Sequence, residues 1–256
     1  MSFLSEIIER KRQRVEALKQ TSPRGSFEIR SNSHRFREAL LRDGINIIAE
    51  FKRRSPSKGA IRVDADLTQI VKSYEAGGAT ALSILTEEDY FSGSLDDLRL
   101  VKKSVGLPVL RKDFIFDEYQ VYESANAGAD AVLLIVAALA DDQLKSLRKL
   151  IEDELGMDAL IEVHTAEEMQ RAAACRATLI GVNNRNLHTF EVSLDTSLML
   201  AEQAPAGAVL ISESGLNNAR DLARLRDAGY RGFLIGESLM RSENPEATLR
   251  ELINTP

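Results

Sequence analysis

The sequence predicts an α/β protein built as a single (β/α)8 barrel, and three observations favour this fold class. First, one pattern recurs at 76–85, 127–136 and 228–236: a helix end with a glycine cap, a short turn and a fully apolar strand. Second, strands that are apolar on both faces are typical of parallel sheets covered by helices. Third, eight strand ends follow one another at intervals of 21 to 36 residues, as eight strand–helix units require.

Further strands and helices are predicted between and after these repeats. The additional strands are at 45–51, 107–113, 158–163, 178–183 and 209–213. Helical periodicity separates them, for example at 141–155, 165–175, 217–228 and 245–253. A doubly wound open sheet is the alternative, but no G-x-G-x-x-G fingerprint follows the first strand.

Residues 1–44 precede the first strand and are predicted to form a helical extension of the single domain 1–256. An apolar stripe indicates a first helix that packs on the barrel: Phe3, Leu4, Ile7, Ile8, Val15 and Leu18. A second short helix is predicted at 34–41. Residues 34–44 are expected to approach the mouth of the barrel, the end at which the strands have their carboxyl ends, as part of a lid.

Composition excludes several classes of protein. A formal net charge of -6 argues against a general nucleic-acid partner, for which a basic stripe is expected. The longest apolar run, 131–140, is too short for a membrane-spanning helix, and Glu6 and Glu9 interrupt the first apolar residues, so no signal peptide is expected. Cys175 is the only cysteine, which fits a reducing compartment. The sequence therefore predicts a cytoplasmic globular protein without a nucleic-acid or membrane partner.

Polar side chains end several of the predicted strands. The stretch I-I-A-E-F-K-R-R-S-P-S-K-G (47–59) places Glu50 and Lys52 two residues apart, hence on one face. Counting with period two puts a polar residue after an apolar or glycine residue on the inner face of four further strands: Lys112, Glu162, Asn183 and Glu213. Because reactive groups of such barrels lie at the carboxyl ends of the strands, this ring predicts an acid–base site.

Two loops predict a phosphate site. S-G-L-N (214–217) follows the seventh strand and is expected to open a helix, and I-G-E-S (235–238) follows the eighth and opens a short one. Backbone N–H groups at helix starts bind phosphate, and these are the loops that do so in many barrels. Positive charge near the strand ends also suits an anionic small molecule: Lys52, Arg53, Arg54, Lys58, Arg111, Lys112 and Arg185.

Other chemically capable residues receive structural interpretations. The three histidines, His34, His164 and His188, are scattered and show no metal-ligand spacing, so no metal site is predicted. Cys175 is expected to pack, and residues 87–89 are expected to form a solvated loop. Phe91, on the loop after the second strand, is a candidate wall of the pocket.

Taken together, these motifs resemble those of the indole-3-glycerol phosphate synthase family over essentially the whole chain. The first-strand signature at 47–59 is joined by L-P-V-L-R-K-D-F-I (107–115), L-I-E-V-H (160–164), I-G-V-N-N-R-N-L (180–187), S-E-S-G (212–215) and F-L-I-G-E-S-L-M (233–240). The resemblance implies a (β/α)8 barrel that converts 1-(2-carboxyphenylamino)-1-deoxyribulose 5-phosphate into indole-3-glycerol phosphate, carbon dioxide and water. It also implies no cofactor, because the substrate's own aryl amine supplies the electrons.

The resemblance also implies catalytic roles for individual residues. Lys112 is the expected general acid that protonates the ribulose carbonyl, and Glu162 its partner carboxylate in ring closure. Lys52 and Glu50 are the expected acid and base of the dehydration, while Asn183 is the orienting amide. Burial and a neighbouring cation lower a lysine pKa whereas carboxylates raise it, and the sequence leaves that balance open.

The expected binding residues follow from the same motifs. Ser55, Gly215, Gly236 and the backbone amide of Glu237 are implied as phosphate ligands, and Glu237 stands where some relatives have a small hydroxyl residue. The remaining pocket residues are expected to be Phe91, Phe114, Arg185, Glu213, Ser214 and Leu234.

Three other functions compete with this hypothesis. A Schiff-base aldolase also uses a lysine at the end of a barrel strand. A phosphoribosylanthranilate isomerase is expected to need a cysteine and an aspartate as its acid–base pair, whereas Cys175 lies on a predicted helix. A non-catalytic sugar-phosphate-binding barrel would leave the acid–base residues without a role. The chain is expected to be monofunctional and either a monomer or a homodimer.

Overall fold

The computed structural model describes residues 3–21, 34–187 and 189–254, and within them it shows the predicted closed barrel. His188 and the side chain of Phe3 lie outside what is described. The eight barrel strands, β1 to β8 in chain order, are Asn46–Phe51, Ala81–Leu85, Val109–Lys112, Ala131–Ile135, Asp158–Val163, Leu179–Asn183, Val209–Glu213 and Tyr230–Ile235. Each pairs in parallel with the next, and β1 closes the ring against β8 with Asn46 opposite Gly232.

The helices of the described residues are named α1 to α11 in chain order. Their bounds are Phe3–Thr21, Arg35–Leu40, Leu67–Ala76, Leu95–Ser104, Glu118–Ala127, Asp141–Lys149, Ala166–Ala174, Asp195–Ala201, Ala219–Asp227, Glu237–Arg241 and Pro245–Asn254. The helix predicted at 141–155 is regular only to Lys149 and continues as a π-helical turn, Leu150–Glu154. A two-residue antiparallel ladder joins Arg54–Ser55 to Gly59–Ala60 beyond β1.

Local sequence signals account for the helix ends. Side chains at the N-caps accept a backbone hydrogen bond from the first turn, as Ser94, Thr165 and Asn218 do for α4, α7 and α9. The glycines of the recurring pattern have the left-handed φ that was predicted: Gly78, Gly128 and Gly229. These caps turn the chain from each helix directly into the next buried strand.

Helix α2 closes the bottom of the barrel, at the amino ends of the strands. Phe36 and Leu40 are fully buried in one apolar cluster with inward-facing strand residues such as Ile48 and Leu160. Asn46, the first residue of β1, donates from Nδ2 to the Leu40 carbonyl oxygen at 3.2 Å. Helix α2 therefore fills the end of the barrel opposite the carboxyl ends of the strands.

The expectation that residues 34–44 form a lid over the mouth is wrong. His34 and Arg37 both contact Asp158, the first residue of β5, at 3.0 Å and 2.9 Å. The reason is geometric: only a short turn separates α2 from β1, and β1 begins at the amino end of the barrel. The segment before β1 is thus held at the bottom.

Helix α1 is the part of the extension that reaches the mouth. Ile7 and Val15 are buried, which confirms that the apolar stripe packs on the barrel, and Leu4 and Ile7 line the cavity described below. A buried ion pair between Lys11 and Asp113 fixes this helix directly beside the end of β3. Within the described ranges, none of the helices combines the length and apolar character needed to span a bilayer.

Candidate active site

A cavity of about 760 Å³ opens at the carboxyl ends of the strands. All fifteen residues that the sequence assigned to the site line it: Glu50, Lys52, Ser55, Phe91, Lys112, Phe114, Glu162, Asn183, Arg185, Glu213, Ser214, Gly215, Leu234, Gly236 and Glu237. They come from six strands and from the loops that follow these strands and β2, so the barrel brings together residues as distant in sequence as Glu50 and Glu237. The polar residues predicted at the strand ends therefore line one cavity.

Two groups of acid and amine occupy the floor of the cavity. Lys52 Nζ lies 2.7 Å from Glu50 Oε1. Lys112 Nζ donates to Glu213 Oε2 at 2.8 Å and to Glu162 Oε2 at 3.2 Å. The three carboxylates are almost completely buried, with at most 4% of each side chain exposed, whereas the two amines retain 16–18% exposure toward the cavity.

Two glycines leave the space that these carboxylates need. A Cβ atom at position 181 would overlap Glu213 Oε1, and one at position 236 would lie 2.5 Å from Glu50 Oε1. Gly181 therefore admits the Glu213 side chain between β6 and β7, and Gly236 admits Glu50 between β1 and β8. Both positions need glycine because of close approach.

Burial and neighbouring charges shift the pKa values of Lys112, Glu162 and Glu213 in different directions. Burial opposes the charge of Lys112, but Glu213, Glu162 and Glu50 outweigh it and hold the Lys112 pKa above its ordinary value. Burial likewise opposes ionisation of Glu162, yet Lys112 and His164 bring its pKa below the usual range. Burial raises the pKa of Glu213 to about 7, because the attraction of Lys112 is offset by repulsion from Glu162.

It follows that Lys112 is an ammonium group and Glu162 a carboxylate at neutral pH, while Glu213 titrates in that region. The balance that the sequence left open is decided by the carboxylates. A charged amine is a proton donor and not a nucleophile.

Asn183 is held in place by its neighbours at the end of β6. Its Oδ1 accepts hydrogen bonds from Ser214 Oγ at 2.9 Å and from the Arg185 backbone N at 3.0 Å. These two bonds fix the side-chain amide and leave its Nδ2 as a hydrogen-bond donor. Arg185 is fixed in turn by a backbone bridge to Val192 and by a bond to the Phe190 carbonyl oxygen.

The two predicted phosphate loops lie side by side. Leu234 of β8 pairs with Glu213 of β7. Gly236 is two residues beyond Leu234 and Gly215 is two residues beyond Glu213, so the two glycines lie at the same level of the barrel. Residue 236 caps the short helix α10, as predicted.

The other loop differs from expectation, because α9 begins at Ala219 and not within 214–217. Ser214 and Gly215 have positive φ values of 68° and 79°, which a helix start does not accommodate, and Asn218 serves as the N-cap.

The carboxylate of Glu237 is engaged by cations on the rim. It lies 3.2 Å from Arg241 Nε and 4.0 Å from Lys58 Nζ. Its negative charge is therefore partly neutralised where it would otherwise repel an anion. Arg111, counted with the positive charge of the mouth, instead points to the outer face, where it pairs with Asp113 and Glu123.

Aromatic side chains form one wall, as expected for Phe91. Its ring lies 6.3 Å from that of Phe114 at a tilt of 42°. The expectation of a solvated loop at 87–89 is wrong for Glu87, which is only 3% exposed. The Glu87 carboxylate accepts the backbone N–H groups of Asp89, Tyr90 and Phe91, and so fixes the loop that carries Phe91.

His164 is the residue next to the site that the sequence interpretation passed over. Its Nε2 lies 3.4 Å from Glu162 Oε1. The signal was present: Glu162 and His164 are two residues apart, as Glu50 and Lys52 are. Cys175 is buried behind α7, where its Sγ contacts the Ala172 carbonyl oxygen, consistent with packing. In the part of the chain that is described, no cluster of three or more His, Cys, Asp or Glu side chains is placed to hold a metal ion.

Comparison with known proteins identifies the family. The family described as indole-3-glycerol phosphate synthase matches residues 4–252. A protein of that name from Koribacter versatilis is 47% identical, covering 98% of this chain and 99% of its own. Another from Lachnoclostridium phytofermentans is 49% identical, covering 89% and 83%.

Solved structures with low sequence identity share the fold alone. A 3-hexulose-6-phosphate synthase has a TM-score of 0.66 at 15% identity, over 81% of this chain and 98% of its own. A thiamine phosphate pyrophosphorylase from Pyrococcus furiosus has a TM-score of 0.59 at 16% identity, over 81% and 93%. The family match spans nearly the whole chain and includes every strand of the barrel: the chain belongs to the indole-3-glycerol phosphate synthase family.

Proposed function

We propose that the cavity at the mouth is where this chain converts 1-(2-carboxyphenylamino)-1-deoxyribulose 5-phosphate into indole-3-glycerol phosphate, carbon dioxide and water. The observation that carries the proposal is the pair of acid–base groups on one cavity floor in a member of this family. One group contains Lys112 with Glu162, and the other contains Lys52 with Glu50. A reaction that closes a ring and later loses water needs two such pairs.

Lys112 is the proposed acid of ring closure. As the aryl ring attacks the ribulose carbonyl carbon, a C–C bond forms and the carbonyl oxygen takes a proton from Nζ to become a hydroxyl group. The neighbouring carboxylates keep that proton on Lys112 before the reaction. The developing alkoxide must compete with Glu162 and Glu213 for it, and positioning of the substrate has to offset that competition.

Glu162, Lys52 and Glu50 are the proposed groups of the later steps. Loss of carbon dioxide leaves its bonding electrons in the ring, and the aryl amine assists the departure of the new hydroxyl group as water. Lys52 is the proposed acid that protonates that hydroxyl, and Glu50 the proposed base that removes the carbon-bound proton whose loss completes the indole ring. Their contact of 2.7 Å supports this pairing, because it allows a proton to pass between them. Glu162 assists ring closure, with Asn183 orienting the substrate.

The substrate phosphate is proposed to bind between the loops at Gly215 and Gly236, with Ser55 and the Glu237 amide. The matched register of β7 and β8 supports this, because it sets both loops at one height on the cavity wall. Phe91, Phe114 and Leu234 provide apolar surface for the aryl ring, and Arg185, Glu213 and Ser214 complete the polar wall.

The competing functions fit the geometry less well. Imine formation requires a neutral amine, whereas the Lys112 pKa is held above its ordinary value by carboxylates, which disfavours the aldolase. Cys175 does not line the cavity, which disfavours the isomerase. A protein that only binds sugar phosphate has no need of buried acid–base pairs.

The proposed activity is tested with synthetic substrate by following indole fluorescence as the product forms. Turnover by the wild-type chain and its loss in Glu162→Gln support the proposal. No product from folded protein at saturating substrate contradicts the activity, and borohydride trapping of a lysine adduct would point to the aldolase. We also propose that the 256 residues act as one cytoplasmic barrel domain, monomeric or homodimeric, without a nucleic-acid, membrane or cofactor partner.

A further inference from the structure

His164 stands directly behind Glu162, outside the set of residues that line the cavity. It follows the end of β5 and is two residues beyond Glu162, on the same side of the chain. Its Nε2 lies 3.4 Å from Glu162 Oε1, and its Nδ1 lies 3.1 Å from Glu168 Oε2. Only 9% of the side chain is exposed, so the ring is enclosed between two carboxylates.

Glu168 fixes the orientation of the ring. The same oxygen, Oε2, accepts the His164 backbone N–H at 2.7 Å and faces Nδ1. Glu168 is itself set by the first turn of α7, where its backbone N–H is capped by Thr165. Nε2 has no hydrogen-bond partner of good geometry among the described residues, so Glu162 is the group that it faces.

Both ring nitrogens lie beside carboxylate oxygens, at 3.1 Å and 3.4 Å, and this placement of negative charge on two sides favours the doubly protonated, cationic ring. Burial disfavours the cation, but Glu162 and Glu168 outweigh burial and raise the pKa of His164 to about 10. His164 is therefore a cation at neutral pH, and Glu162 lies between two cations because its other oxygen contacts Lys112.

Other charged groups border the same region. Behind Lys112 stands Glu213, and Glu50 acts on Lys112 from β1. A groove of about 1250 Å³ runs past His164 and Glu168, with Glu9 and Arg12 of α1 and Arg185 and Glu191 of the β6 loop on its walls. Two of these four residues are acidic and two are basic, so together they supply no net positive charge that could replace that of the histidine.

We propose that His164 is a positioning residue that Glu168 holds as a cation, and that it keeps Glu162 a carboxylate while Lys112 gives up its proton. The inference rests on the proposed role of Glu162 and Lys112. When Lys112 donates to the substrate, its positive charge disappears from one side of Glu162. Without His164, the buried Glu162 would then take up a proton and compete with the substrate for it; with His164, one cation remains.

The first test is the pH dependence of kcat in His164→Gln, which retains an amide donor but removes the charge. Loss of a neighbouring cation raises the Glu162 pKa, so the acidic limb of the profile should move to higher pH by about one unit or more. At pH 7, Glu162 is ionised before the reaction in both proteins, but in the variant no cation remains beside it once Lys112 has given up its proton. The kcat at pH 7 should therefore also fall, by about tenfold, while KM changes little because the phosphate loops are untouched. Glu168→Gln should shift the limb in the same direction.

His34→Gln is the matched control. His34 Nδ1 lies 3.0 Å from Asp158 Oδ1, so it is also a histidine paired with a buried carboxylate of β5, but at the amino end of the strand. Its replacement should leave the kcat profile in place. A shift in both histidine variants would show a general effect of replacing a buried-carboxylate partner and overturn the specific role of His164.

The second test uses the wild-type protein and therefore does not depend on the folding of a variant. Nuclear magnetic resonance of the 15N-labelled histidine rings should show His164 doubly protonated at pH 8. A ring that is neutral there overturns the proposal, as does a His164→Gln profile whose acidic limb does not move. If Glu162→Gln keeps its activity, the proposed role of Glu162 fails as well; if only the His164 tests fail, that role stands.

Discussion

Replacement of Lys112 by methionine separates proton transfer from binding. Methionine preserves most of the apolar stem, so the cavity wall should keep its shape, but no transferable proton remains. A positioned acid contributes about 10²- to 10⁴-fold, so kcat should fall by that factor, or about 2.7–5.4 kcal/mol of activation free energy. KM should rise only modestly, because the proposed phosphate contacts at Gly215 and Gly236 are unchanged.

The same change also carries a cost in stability. Lys112 is the only Lys or Arg that pairs with Glu162 and Glu213 within the described residues, and both carboxylates are buried. Removing one partner of a buried ion pair costs about 3–5 kcal/mol, or about 6–20 °C in Tm for a chain of this size. The lower part of that range is expected, since Glu213, with its pKa already raised to about 7, can take up a proton.

The assay is steady-state product fluorescence, combined with thermal unfolding of the same samples. Lys102→Met is the matched control, because Lys102 is 15% exposed, against 16% for Lys112, and pairs with the buried Asp130 near the amino end of the barrel. It should lose stability but keep kcat. A Lys112→Met protein with kcat within about tenfold of wild type would refute the acid role. If binding is lost while kcat stays high, Lys112 is an anchor for the substrate carboxylate, and Lys52→Met becomes the deciding variant.

Three further changes probe other parts of the molecule. In Gly236→Ala, the added Cβ would lie 2.5 Å from Glu50 Oε1 and displace that carboxylate, so steady-state assays should show kcat lowered by about tenfold or more; an unchanged kcat would disprove the tight fit. Lys11→Met should lose about 3–5 kcal/mol in urea unfolding at pH 7. Because Lys11 and Arg111 depress the pKa of buried Asp113, this stabilisation is present above about pH 4 and lost as pH falls further, so the two proteins should converge in stability toward pH 2; a constant difference would count against it. Phe36→Ala should lose about 3–5 kcal/mol and keep kcat, since Phe36 fills the opposite end of the barrel, and a fall in kcat would contradict that placement.

Strand periodicity was the most informative signal in the sequence. Alternation in β3, β5 and β7 places Leu110, Leu160 and Ile211 in the inner apolar layer, and the residue two positions later in each strand reaches the cavity. Side chains two apart on a strand must share a face, so the polar ring followed from the pattern alone. The strand residues that line the cavity were predicted correctly for this reason.

Other features depended on contacts between distant segments. Nothing in the local pattern of α1 shows that Lys11 meets Asp113, because their partnership arises only when the helix docks beside β3. The solvated loop expected at Glu87 failed for a related reason: a carboxylate that accepts three backbone N–H groups can be buried, and composition does not reveal that. The position of α2, in contrast, could have been predicted from the sequence. Only a short turn joins α2 to the start of β1, and a strand of this barrel starts at the end opposite the reactive groups.

The closing of β1 against β8 has a consequence for how activity is acquired during folding. At this seam, Asn46 of β1 pairs with Gly232 of β8, 186 positions later in the chain. Bringing such distant residues together costs loop-closure entropy before the contacts between the strands can offset it. Glu50 stands on one side of this seam and Gly236 on the other. A refolding chain can thus regain helix and strand content while Glu50 and Gly236 are still apart. The return of turnover after dilution from denaturant then reports the pairing of β1 with β8, which circular dichroism does not distinguish from earlier steps of folding.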